Sequence, residues 1–239
     1  MTNLYEPFIG EAFLRSAWAR DYEQFKDSGA ETGLLARLEN WSKRTDLKET
    51  SAESAFIQQF FHDTWGYFES GQRRAEEGFS TYPKFSVEGA GQTGGTGEAD
   101  VALGWFARNG IPDTAQVLCE FKGIRSNLDA PQKRKRNNRS PVKQCLDYLF
   151  HTRRGIFGNE AIIPSWGIVT DMNEFRLYWF DRAPQQYIRF VINPDDPLFT
   201  RSLLDLGEEG RFHRFLFYKI FHSDTLLTTG GKSRLARLI

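Results

Sequence analysis

Apolar residues recur along the chain with two different periods, which divide it into helical and strand-forming parts. Before residue 70, apolar positions three and four apart predict amphipathic helices. Beyond it, short runs of β-branched and aromatic residues predict strands. The predicted helices are 8–25, 32–41, 50–67, 140–154 and 198–222, and the predicted strands are 82–88, 98–106, 115–122, 163–170, 174–181 and 186–192.

The order of these elements predicts an α/β protein with a mixed sheet. A helix, three strands, a helix and a fourth strand fill residues 50 to 171, and Asp171-Met172-Asn173 predicts a tight hairpin to the next strand. Further helices precede and follow this part. We therefore expect an N-terminal helical segment at 1–49, a core at 50–195 and a C-terminal helical segment at 196–239.

Composition limits the class of protein. A chain of 239 residues that is 40% hydrophobic and 15% aromatic can bury a substantial core. Its two cysteines, Cys119 and Cys145, lie at predicted apolar positions, which indicates reduced core residues and neither a disulfide framework nor a zinc site. The sequence shows no signal peptide and no apolar run of the roughly 20 residues that a membrane span needs. We expect a cytoplasmic protein without a membrane partner.

Candidate chemistry lies at the polar ends of two predicted strands. Asp100 follows Gly97-Glu98-Ala99, and nineteen residues separate it from Glu120-Phe121-Lys122. Because strand side chains alternate between faces, Glu120 and Lys122 share a face and Cys119 and Phe121 take the other. We expect the acidic groups and the amine to converge at an exposed strand end that faces a cleft. Such groups can hold a divalent cation against a phosphate.

This spacing resembles the PD-(D/E)xK nucleases, although Ala99 stands where the family has proline. The resemblance implies a restriction-endonuclease-like αβββαβ core and hydrolysis of DNA with Mg²⁺, for which Mn²⁺ substitutes. It implies that Asp100, Glu120 and the Phe121 carbonyl ligate the metal and that Lys122 acts on the attacking water or the phosphate. The competing interpretation is a pair of strands with solvated charges.

Gln144 and Tyr148 extend the resemblance to the RecB-like branch, whose Q-x-x-x-Y pattern follows the lysine. Residues four apart share a helix face, so we expect both to support the site. Glu53 resembles the glutamate that family members carry on the helix before the sheet, where it reaches the metal. Thr50-Ser51-Ala52-Glu53 also matches a capping box, in which Glu53 would bond back to Thr50 as the N-cap. The two roles are compatible.

A basic segment links the predicted strand to the predicted Q-x-x-x-Y helix. The net charge is zero, but between Lys122 and Lys143 eight Lys or Arg residues accompany a single acid, Asp129. A basic loop beside a metal site predicts contact with a DNA backbone, and a solvated loop is the alternative. The candidate DNA-binding residues are Lys133, Arg134, Lys135, Arg136 and Arg139.

The layout also resembles the N-terminal nuclease region of single-chain restriction-modification enzymes. We therefore expect double-stranded DNA as substrate, with a methyltransferase and a target-recognition region further along a longer chain. No methyltransferase motif lies within these residues, because Asn193-Pro194-Asp195-Asp196 lacks the N-P-P-Y/F pattern. A repair or recombination nuclease of the RecB-like type would use the same site residues. A nuclease fold that binds DNA without cleaving it is the third possibility.

Overall fold

The computed structural model describes residues 5–44, 49–91, 93–110, 112–132, 138–154 and 163–239. Short stretches of π-helix (Ile57–His62) and 3-10 helix (Ala75–Glu77 and Leu235–Arg237) accompany the main elements. Within the described ranges the chain forms seven α-helices and six strands: α1 (Glu11–Ala17), α2 (Ala19–Phe25), α3 (Gly29–Ser42), α4 (Glu49–Phe56), β1 (Phe79–Val87), β2 (Gly97–Phe106), β3 (Thr114–Phe121), α5 (Pro141–Arg154), β4 (Trp166–Thr170), β5 (Glu174–Trp179), β6 (Tyr187–Val191), α6 (Glu208–Phe221) and α7 (Ser223–Leu226).

The six strands form a mixed sheet whose spatial order follows the chain from β1 to β6. Neighbouring strands run antiparallel except β3 and β4, which run parallel with Val117 opposite Trp166. Parallel neighbours need a connection that crosses a face of the sheet, and α5 lies in that connection. The fold is therefore α/β, and from α4 to β4 the elements are a helix, three strands, a helix and a strand.

One face of the sheet packs against the helices of the N- and C-terminal parts. The cluster between them contains buried residues of α1 to α4, α6 and α7 together with the inward-facing residues of β2 to β6. Aromatic rings supply much of this contact: Phe56 of α4 lies 5.6 Å from Phe121 of β3 between ring centroids, and Phe60 lies 5.9 Å from Phe175 of β5. The Phe56–Phe121 contact fixes α4 against the strand that carries Glu120.

Helix α5 covers the opposite face, and small residues let it approach the sheet closely. A Cβ atom added to Gly167 of β4 would lie 2.7 Å from the Cys145 sulfur, and one added to Gly97 of β2 would lie 2.9 Å from the Tyr148 ring. Both distances are too short for a larger side chain. These glycines therefore allow the Q-x-x-x-Y helix to rest directly on the strands.

The structure confirms the predicted strands and the 140–154 helix to within a few residues, and it corrects three other helices. The predicted 8–25 helix is interrupted at Trp18, whose backbone leaves the helical region. The predicted 50–67 helix changes to π-helix at Ile57, and that π-helix ends at His62. The predicted 198–222 helix begins only at Glu208, because the amide of Leu203 bonds 2.9 Å to the carbonyl of Val191 and keeps that segment beside β6.

Both cysteines are fully buried and form no disulfide, as the sequence predicts. Burial raises the pKa of each thiol well above its ordinary value, which keeps it in the unreactive protonated form. Among the described residues, every helix is too short or too polar to cross a membrane. The division at residues 49 and 195 stays a prediction, and the larger hydrophobic cluster draws residues from all three segments.

Candidate active site

Asp100 lies where the pairing between β2 and β3 ends. The last paired residues there are Val101 and Cys119, and beyond them the Asp100 carboxylate accepts a hydrogen bond of 2.7 Å from the Phe121 amide through Oδ2. A side chain thus satisfies a backbone donor that the neighbouring strand leaves open. This bond holds the Asp100 carboxylate beside the strand that carries Glu120 and Lys122.

Glu120 and Lys122 share a face, as strand alternation predicts, and form a direct ion pair. The Lys122 ammonium lies 2.5 Å from Glu120 Oε1 and 2.6 Å from the Phe121 carbonyl oxygen. The expectation of an exposed strand end is wrong: Glu120 is 2% exposed and Lys122 is 8% exposed. Helix α5 covers this face, and each charge is tolerated there because the other neutralises it.

Gln144 and Tyr148 of α5 connect Glu120 to strand β2. The Gln144 amide nitrogen donates to Glu120 Oε2 at 2.9 Å and lies 2.5 Å from the Tyr148 hydroxyl, which donates to the Glu98 carbonyl at 2.7 Å. Burial, and then the charge of Glu120, raises the pKa of Tyr148, so the phenol stays protonated and serves as a donor. The structure therefore brings the predicted Q-x-x-x-Y pair directly to the predicted acidic residue.

Lys84 is a site residue that sequence reasoning missed. Its ammonium lies 2.7 Å from Asp100 Oδ1 and 3.9 Å from Glu53 Oε1. Partial burial lowers the pKa of Lys84, but the hydrogen bond to Asp100 and the charges of Glu53 and Glu98 outweigh it and leave the pKa raised. No motif marks Lys84, because its approach to Asp100 depends on the register of β1 against β2.

Glu53 reaches the site from α4, as the family resemblance implies. Its side chain is 20% exposed, and the carboxylate shares the Lys84 ammonium with Asp100. The capping-box interpretation involves the Thr50 side chain, which lies outside the described residues, and it stays a prediction.

The predicted DNA-binding residues fall into two groups. Lys133, Arg134, Lys135 and Arg136 lie outside the described residues. The Arg139 side chain is only 11% exposed, and its guanidinium donates to the Asp147 carboxylate at 2.9 Å and to the Ala90 carbonyl at 2.8 Å. Arg139 thus joins the end of the basic segment to α5 and to the loop after β1.

The donors at this site fit a hard divalent cation. Asp100 and Glu53 already share one positive group, and Phe121, whose amide bonds to Asp100, carries its carbonyl oxygen at the end of β3. Among the described residues, no three His, Cys, Asp or Glu side chains are grouped closely enough to hold a metal by themselves. Mg²⁺ needs no such cage, because it is commonly held by one or two carboxylates with waters and substrate phosphates.

Comparisons with known proteins identify no relative of this chain. The chain matches no protein-family model, no curated protein and no solved structure.

The buried ion pair predicts an unequal response to single and double substitutions. Lys122→Met and Glu120→Gln should each lower the free energy of unfolding by about 3 kcal/mol, because each leaves a buried group without its partner charge. The double variant, which removes both charges at nearly constant volume, should be within about 1 kcal/mol of the wild type. Urea unfolding of the four proteins measures these values.

Lys143 supplies the matched control, because it pairs with Asp147 at 3.2 Å and its side chain is 64% exposed. Lys143→Met should change the free energy of unfolding by less than about 1 kcal/mol. Single variants at Glu120 and Lys122 that are as stable as the wild type would contradict the ion pair.

Proposed function

We propose that this chain is a metal-dependent endodeoxyribonuclease domain of the PD-(D/E)xK type. The observation that carries the proposal is the continuous set of hydrogen bonds from Tyr148 through Gln144 and Glu120 to Lys122. These four residues match two separate sequence patterns, E-x-K and Q-x-x-x-Y. If Glu120 and Lys122 were ordinary strand-end charges and α5 an ordinary amphipathic helix, the residues of the two patterns would not be expected to bond to each other. Asp100 joins them through the Phe121 amide.

The proposed chemistry assigns a role to each of these residues. Asp100, Glu53, Glu120 and the Phe121 carbonyl would hold Mg²⁺ or Mn²⁺, and that ion would lower the pKa of a bound water and stabilise charge on the phosphate. The Lys122 Nζ lies beside Glu120, where it would orient the attacking water and stabilise the developing negative charge.

The residues of α5 keep this lysine in place. Gln144 donates to the Glu120 oxygen that does not contact Lys122, so the carboxylate is held from two sides. The Tyr148 hydroxyl in turn ties Gln144 to the Glu98 carbonyl. We assign Gln144 and Tyr148 as positioning residues, because Gln144 bonds to the Glu120 carboxylate and Tyr148 bonds to Gln144.

We further propose that the domain is the cleavage module of a restriction-modification enzyme that acts on double-stranded DNA. The layout of the sequence supports this assignment, and a methyltransferase and a target-recognition region in the same longer chain would be its partners. A RecB-like repair nuclease would use the same residues. The coding sequence after Ile239 distinguishes them, because a methyltransferase there supports the first and a helicase the second.

Cleavage of supercoiled plasmid tests the proposed activity. The wild-type chain should nick the plasmid with Mg²⁺ or Mn²⁺ and lose this activity in EDTA, because the site offers hard oxygen donors and no thiol or imidazole cluster. The Glu120→Gln, Lys122→Met double variant should cleave at least about 100-fold more slowly, because it retains the fold but lacks the groups that stabilise the transition state.

A remote ion pair gives the control for this experiment. Lys219 lies 2.6 Å from Asp21 between α6 and α2, on the helical layer, and the Asp21→Asn, Lys219→Met double variant should cleave like the wild type. Cleavage that persists in EDTA, or that survives in the Glu120 and Lys122 double variant, would contradict the proposal. DNA binding without any cleavage under these conditions would favour the non-catalytic module.

The basic segment makes a separate prediction about DNA affinity. Replacing Lys133, Arg134, Lys135 and Arg136 with Ala should weaken binding to unrelated DNA sequences by similar factors, because phosphates carry no sequence information. The dependence of log affinity on log salt should flatten by up to about 0.9 for each lost phosphate contact. Fluorescence anisotropy at several salt concentrations measures both effects.

Two exposed residues of the helical layer, Arg20 and Lys43, provide a comparison in which positive charge is removed far from the basic segment, two charges instead of four. Their replacement with Ala should leave the salt dependence of binding unchanged. An unchanged salt dependence in the variant of the basic segment would show that this segment is a solvated loop.

A further inference from the structure

Lys84 occupies the space between the two carboxylates that approach the site from different elements. Asp100 comes from β2 and Glu53 from α4, and the Lys84 ammonium lies 2.7 Å and 3.9 Å from their nearest oxygens. A single positive charge thus holds together two acids that would otherwise repel each other. It stands where a cation shared by these carboxylates would be held.

The backbone at Lys84 adopts a conformation that lysine rarely takes. Its φ is +52°, in the left-handed region, although Pro83 and Phe85 on either side remain paired with Val101 and Ala99 of β2. A residue without special tolerance for this region carries a strain of about 1 kcal/mol or more. The strain is confined to Lys84, because the strand pairing continues on both sides of this residue. The unusual backbone conformation therefore affects where the Lys84 side chain lies, directly opposite Asp100.

The two lysine side chains of the site differ in how easily they can move away from their carboxylate partners. The Lys122 side chain is 10% exposed and is enclosed with Glu120 beneath α5, whereas the Lys84 side chain is 51% exposed. An ion pair at such an exposed position is held weakly, because water can solvate the ammonium once it moves away. Lys122 is therefore a fixed part of the site and Lys84 is a displaceable one.

We propose that Lys84 is a built-in countercation for Asp100 and Glu53, which a divalent metal ion must displace when it binds. The inference rests on the proposed function, because it takes these two carboxylates as metal ligands. Lys84 would stabilise the acidic pair in the metal-free protein and weaken metal binding by competing for the same oxygens. The lysine would thus set the metal concentration at which the site is loaded.

Calorimetric titration of the metal-free protein with Mn²⁺ tests this competition without any cleavage assay. Lys84→Met should bind Mn²⁺ about fivefold more tightly than the wild type, the change expected when a half-exposed competing ion pair is lost. In EDTA this variant should melt at a lower temperature than the wild type, and saturating Mn²⁺ should remove most of that difference.

A second variant and a control make the result unambiguous. Lys84→Gly removes the ammonium and suits the left-handed backbone, so it should also bind Mn²⁺ more tightly even if Lys84→Met folds poorly. Lys219→Met, which breaks the remote pair with Asp21, should bind Mn²⁺ like the wild type.

The possible failures are distinguishable. If the wild type binds Mn²⁺ and loses that binding in Asp100→Asn, but the Lys84 variants bind no more tightly, the countercation inference is overturned and the metal site stands. If no protein in the series binds Mn²⁺, both the inference and the proposed metal-dependent activity are overturned.

Discussion

The arrangement of the site depends on the burial of one ion pair, Glu120 with Lys122, at the end of a central strand. Charges removed from water are tolerated only when partners of opposite charge and hydrogen bonds replace the lost solvent. Here Lys122 bonds to Glu120 and to the Phe121 carbonyl, and Gln144 bonds to the other oxygen of Glu120. The need to satisfy this pair explains why a polar glutamine lies among the apolar residues of the buried face of α5.

The crossover helix is the element that makes this burial possible. Because β3 and β4 are parallel, the chain has to pass over the sheet between them, and it does so through α5 directly above Glu120. Close packing against Gly167 and Gly97 brings Gln144 and Tyr148 within hydrogen-bond reach. Topology and site are thus linked, since the same connection that permits a parallel pair also encloses the charged residues.

The α/β class with its mixed sheet, and the shared face of Glu120 and Lys122, could be predicted because they follow from local periodicity. Strand alternation places Glu120 and Lys122 on one face at the end of β3, as the structure has them. Helix spacing places Gln144 and Tyr148 on one face of α5, and the structure confirms that they are in contact. The burial of Glu120 and Lys122 could not be predicted from periodicity, because it depends on how closely α5 packs against the sheet. Lys84 could not be found either, since its meeting with Asp100 depends on strand register and an unusual backbone angle. The interruption at Trp18 and the late start of α6 likewise reflect tertiary contacts that override local patterns.

We propose that Asp100 and Glu53 form one cation site beside Glu120 and Lys122. The most direct test is a crystal structure of the protein soaked in Mn²⁺, with data collected to show the anomalous signal of the metal. We expect one strong peak within about 2.5 Å of carboxylate oxygens of both Asp100 and Glu53, with the Lys84 ammonium no longer between them. A map without a peak there, or with Mn²⁺ bound only at other carboxylates, would contradict it.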